Sequence, residues 1–185
     1  MKVRPNTWDA AILESVLINN EYNLPPDMRG AVVIDIGAHI GGFAAACQYH
    51  RARRVFCYEP DPENFALLSL NTAERPVTGV ADTSPTEVIL LNLAVLGEET
   101  PGLTLRLPLA ADESGPGVNT GLGVNTGQVD VFGPPPGTDN GGVHAIGIDQ
   151  AIREAHEPHI DLLKIDCEGA EWPIFAKGDF SKVKT

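Results

Sequence analysis

The chain has 185 residues, 43% apolar, 21% charged and 6% aromatic, a mix near the average for folded domains that excludes wholesale disorder and fibrous repeats. Its 13 Lys and Arg against 25 Asp and Glu leave a net charge of −12, a field that repels phosphate backbones and anionic membranes, so neither is an expected partner. Cys47, Cys57 and Cys167 are odd in number and lack metal-ligand spacing; no leader or ~20-residue apolar span is read, and a cytoplasmic chain is expected.

Trp8, Ile12, Leu13, Val16 and Leu17 recur at helical spacing, predicting an amphipathic helix near residues 8–19 inside an N-terminal helical cap, 1–30. Ala31–Ile36 is a continuous, largely β-branched run, the pattern of a strand buried on both faces. A glycine turn over 37–42 and an Ala-rich helix over 43–50 follow. Arg54–Glu59 repeats the theme as a second strand, and the helix at 64–73 follows a Pro-Asp-Pro turn. Glu87–Leu93 and Asp161–Asp166 predict the third and fourth strands, with a last helix near 170–176. Leu103–Leu107 and Val143–Ile148 alternate, predicting an antiparallel insertion between strands three and four. Ser114–Gly142 holds nine glycines and four prolines and repeats Gly-Val-Asn-Thr-Gly at 117–121 and 123–127; 110–142 reads as a mobile loop. Successive strand-helix units predict an α/β fold with a mostly parallel sheet and helices on both faces, a single domain over 1–185.

Asp35-x-Gly37-x-x-x-Gly41 stands where the first strand meets the first helix, a place where glycines let backbone approach a ligand and helix N–H groups favour negative charge. Glu59, 24 residues on, ends the second strand, where an acid in a doubly wound sheet accepts ribose hydroxyls. The spacing departs from Gly-x-Gly-x-x-Gly, since His39 replaces the second glycine, and Asp35 would oppose a pyrophosphate. A ligand carrying an ammonium and a sulfonium suits a nearby carboxylate, which favours S-adenosylmethionine over a dinucleotide.

Val33–Phe43, Val55–Phe65 and Leu162–Glu171, the last reading Leu-Leu-Lys-Ile-Asp-Cys-Glu-Gly-Ala-Glu, resemble the FkbM family of S-adenosylmethionine-dependent methyltransferases. The resemblance spans about Tyr22 to Gly178, apart from the Gly-rich loop. It implies a Rossmann-like fold that methylates hydroxyl oxygens of sugars or secondary metabolites, with a small hydroxylated molecule as the acceptor partner. By position it implies that Asp35, Gly37, Ala38 and Gly41 flank the methionine moiety. Glu59 would hold the ribose, and Asn92 to Ala94 would line the adenine. The family commonly carries Asn at the position of His39.

Asp166, Glu168 and Glu171 are expected to converge at the carboxyl end of the fourth strand. There Asp166 is the candidate general base, with His39 a second catalytic candidate; no metal site is assigned. Trp8 and Trp172 read as core or cap residues. The family fold implies three further strands, so a C-terminally truncated sheet is expected, with the fourth strand an exposed edge where a second copy would dock. Two alternatives stay open: a non-catalytic remnant that binds an adenosine ligand, and an NAD-dependent oxidoreductase, since Glu59 would serve either ribose.

Overall fold

In the computed structural model, the continuous apolar run of the first strand lies at the centre of a parallel sheet. The structure describes residues 1–73, 85–99, 104–105, 143–167 and 169–184; the 110–142 stretch, its repeated pentapeptide and Glu168 lie outside them. Strands β1 (Val32–Ile36), β2 (Arg54–Tyr58), β3 (Glu87–Leu91) and β7 (Leu162–Ile165) form one sheet in the order β3-β2-β1-β7. All three pairings are parallel. Every residue of β1 is buried, as its lack of polar alternation requires when both faces are covered.

Helices cover both faces. On one side α1 (Asp9–Leu17), α2 (Gly42–Tyr49) and α3 (Pro62–Thr72) bring Val16, Phe43, Ala44, Cys47 and Leu68 onto Val33, Val55 and Cys57. On the other, Ile148, Ala151 and Ile152 of α4 (Ile148–Glu154) and Ile174 of α5 (Glu171–Lys177) pack on Val32, Ile34, Ile36, Phe56 and Tyr58. The chain leaves β1 toward β2 on one side and meets β7 on the other. That reversal opens a crevice at the carboxyl ends of β1 and β7, the usual ligand position in open α/β sheets.

Between strands three and four the expected antiparallel pair is part of a small three-stranded sheet. β6 (Val143–Gly147) pairs antiparallel with β5 (Thr104–Leu105), but it also pairs parallel with β4 (Ala94–Leu96). Ile148, read as a strand end, instead opens α4, because apolar alternation through Gly147 does not show where extended backbone stops. Trp172 is no core residue either, being 82% exposed on α5, while Trp8 is 38% exposed. Among the described residues β7 is the outer strand of its side, and the segment around Val183 bridges to Ile160, just before that strand. No described helix is long and apolar enough to cross a membrane.

Candidate active site

A cavity of about 250 Å³ opens at the carboxyl ends of β1, β2 and β7. Gly37, Ala38 and His39 of the turn, Glu59 and Pro60 after β2, Leu93–Leu96, Lys164 of β7 and Asp166 just past it line the cavity. Ile12, Val16 and Tyr22 of the N-terminal cap close the wall together with Phe43.

The glycine turn is built for internal packing. Gly37 has φ +79°, and a Cβ there would stand 1.9 Å from the backbone oxygen of Asp166, so only glycine lets β7 exit this close to β1. Gly41, at φ +90°, would drive a Cβ to 2.9 Å from Leu68; its role is the approach of α2 to α3. The amides of Gly37 and Ala38 both donate to the Tyr58 carbonyl at 3.0 Å, and that of Gly41 to Ala38. The His39 amide donates to Glu59 Oε2 at 2.7 Å. These four donors of the turn are engaged within the protein, so none of them is free for a ligand phosphate.

Glu59 is 4% exposed. Besides His39 it accepts the Asp61 amide at 2.9 Å and the Asn64 side-chain amide at 3.4 Å. Burial pushes its carboxyl up to about 7, against the pull of those donors. A carboxylate offers about four lone-pair sites, and the protein's own donors engage three of those of Glu59. Asp61 caps α3 by accepting from the Glu63 and Asn64 amides, which holds Glu59 at the head of that helix.

Asp35 and Lys164 are register partners on β1 and β7, each the one charge in an otherwise apolar strand. Asp35 is fully buried and does not line the cavity. Its Oδ1 accepts from Lys164 Nζ at 3.0 Å, while Oδ2 has no partner. Burial raises the Asp35 carboxyl and Lys164 opposes that. Burial would lower the Lys164 ammonium, but Asp35 and Asp166 outweigh it and hold it above the usual lysine value. The Lys164 ammonium thus balances the Asp35 carboxylate, and of the two only Lys164 lines the cavity.

Asp166 is exposed at the cavity mouth. Its Oδ2 accepts the Tyr22 hydroxyl at 2.8 Å across 144 residues of chain, and Lys164 Nζ lies 3.8 Å from the same oxygen. Glu171 does not join it: its carboxylate accepts from the Cys167 and Gly169 amides and so closes the turn before α5. His39 has φ +51°, and its Nε2 faces Arg4 Nη2 at 3.4 Å and Asp9 Oδ1 at 3.6 Å. Burial lowers the imidazole, with Asp9 opposing and Arg4 adding to the effect.

Of the residues singled out from sequence, Gly37, Ala38, His39, Glu59, Ala94 and Asp166 line one cavity. Asp35 and Gly41 lie behind it. Asn92 does not line it either; its amide donates to the carbonyls of Glu59 and Pro60 at 2.8 and 3.0 Å, bracing the end of β2. Lys164 and Tyr22 were missed. A lone Lys inside Leu-Leu-Lys-Ile, beside a lone Asp inside Val-Val-Ile-Asp-Ile, was a readable signal, because a buried charge requires a partner. Nothing in the sequence points to Tyr22.

The family model described as the methyltransferase FkbM domain matches residues 35–185. No curated protein and no solved structure matches the chain.

Proposed function

The chain belongs to the FkbM methyltransferase family, and from that premise we propose that it transfers the methyl group of S-adenosylmethionine to a hydroxyl oxygen of a small molecule. The observation that carries this reading is the meeting of Glu59, the glycine turn, Lys164 and Asp166 around one cavity. The donor set fits that cofactor. Pro60 and Leu93–Leu96 offer an apolar slot for an adenine, Glu59 has a vacant lone pair for a ribose hydroxyl, and Lys164 with Asp166 suits a zwitterionic amino-acid head. The engaged amides of the turn do not suit a pyrophosphate, which disfavours the dinucleotide alternative.

The cofactor supplies an electrophilic methyl carbon on a sulfonium, open to in-line displacement. The protein's contribution is mainly to hold an acceptor oxygen in line with it. Asp166, exposed at the mouth with its Oδ2 tied to Tyr22, is the group proposed to take the acceptor's proton. His39 is the weaker candidate, since its ring faces Arg4 and Asp9. The acidic surface favours a neutral or cationic acceptor, and sugars and hydroxylated secondary metabolites are the classes to screen.

Calorimetric titration with S-adenosylhomocysteine, followed by incubation with methyl-labelled cofactor and a panel of hydroxylated compounds, tests this. Micromolar binding and label on oxygen are expected, and Asp166→Asn should slow transfer at saturating cofactor by about 10²–10⁴-fold. A folded protein that binds no adenosine ligand, or label found only on amines, refutes the reading.

A further inference from the structure

The side of the cavity formed by β7 presents a cation. Lys164 is 9% exposed, and Nζ donates to Asp35 Oδ1 at 3.0 Å and to the Gly37 carbonyl at 2.9 Å. An ammonium has three N–H donors. The third has no hydrogen-bond acceptor among the described residues, because Asp166 Oδ2, the next oxygen, is 3.8 Å away, beyond hydrogen-bonding range. The rings of Tyr22 and Phe43 flank the ammonium at 5.6 and 5.7 Å, and pack edge to face on each other at 5.0 Å. Leaving a charged donor unsatisfied in such a place is costly, and the cavity is the open direction, since Lys164 lines it and Asp35 does not.

We infer that Lys164 binds the carboxylate of the cofactor's amino-acid part, through the one N–H that Asp35 and Gly37 leave free. This rests on the cofactor reading above. The carboxylate is the only anionic group of S-adenosylmethionine, so it is the group a buried ammonium selects. Repulsion from Asp166 is limited, because the nearer oxygen already accepts the Tyr22 proton and the ligand brings two cationic groups with its carboxylate. Asp35 acts as a positioning residue: its buried carboxylate holds Nζ at the cavity wall. Tyr22 and Phe43 restrict the ammonium sideways, a contact of the cation–π kind.

Titration of the full chain with two ligands that differ in the amino-acid tail tests the assignment without any methyl acceptor. S-adenosylhomocysteine carries the carboxylate; 5′-methylthioadenosine lacks the whole tail. Lys164→Met should weaken the first by about 10–100-fold, the size of a charge-assisted hydrogen bond, and leave the second within about threefold. The single variant strands a buried carboxylate and risks unfolding, so the neutral pair Asp35→Asn with Lys164→Met is measured beside it, with the same result expected. If both ligands weaken together in the folded double variant, or neither does, the assignment is overturned. A wild-type protein that binds neither ligand overturns the cofactor reading, and the assignment with it. One that binds 5′-methylthioadenosine but gains nothing from the tail leaves the cofactor reading standing and overturns the assignment alone.

Discussion

Glu59→Gln separates two consequences of burying a carboxyl at the end of β2. Glu59 is 4% exposed, and burial moves it from an ordinary 4.5 to about 7, a displacement worth about 3 kcal/mol. The folded carboxyl holds its proton more tightly than the unfolded one. Its contribution to stability is therefore fully present below pH 4.5 and is lost as pH rises through 7. Urea unfolding of the wild type between pH 5 and pH 8 should show a loss of about 2–3 kcal/mol from this group. The Gln variant cannot titrate, so its curve should lack that component, and the gap between the two proteins should shrink by the same amount across the window. The variant should be less stable at pH 5, because its N–H₂ turns toward the His39 or Asp61 amide, which donate to the two carboxyl oxygens of the wild type, and an amide nitrogen, unlike a carboxylic hydroxyl oxygen, accepts no hydrogen bond. Ligand affinity should run the other way. A ribose hydroxyl donates best to the ionised group, so wild-type affinity for S-adenosylhomocysteine should rise with pH through 7 and that of the variant stay flat. A stability gap constant to within about 0.5 kcal/mol from pH 5 to 8 would show that burial does not govern this carboxyl.

Gly37→Ala places a methyl 1.9 Å from a backbone oxygen at φ +79°, so β7 must separate from β1; thermal unfolding should show a loss of more than about 3 kcal/mol, whereas retained stability would mean the turn is not fixed by this contact. Asn71→Ala removes the side chain that accepts the Lys2 amide and donates to the carbonyls of Lys2 and Ile40 at 2.9 Å each. It should cost about 1–3 kcal/mol and speed amide exchange in residues 1–8, while unchanged exchange would show that the N-terminal segment is held by Arg4 and Asp9 alone.

The parallel sheet and the strands and helices that build it were legible in the sequence, though β4 and α4 were not, since the runs at 31–36, 54–59 and 161–166 lack polar alternation and each of the first two precedes a turn and a helix. Such runs belong where both sheet faces are covered, and local composition alone carries that information. The position of the site was legible for the same reason: Asp35, Gly37, Glu59 and Asp166 stand at or just past strand ends, and parallel strands bring their carboxyl ends together. The charge of the site was not. Asp35 reads from sequence as a lone carboxylate, whereas the register sets Lys164 beside it and balances its charge. The amides of the turn read as free until Tyr58 and Glu59 occupied them. Tyr22, 144 residues from its partner, could come only from how the cap lies across the sheet. Strand propensity and burial are properties of neighbouring residues and survive in sequence, whereas which buried charge meets which is decided by register and packing between segments far apart in the chain.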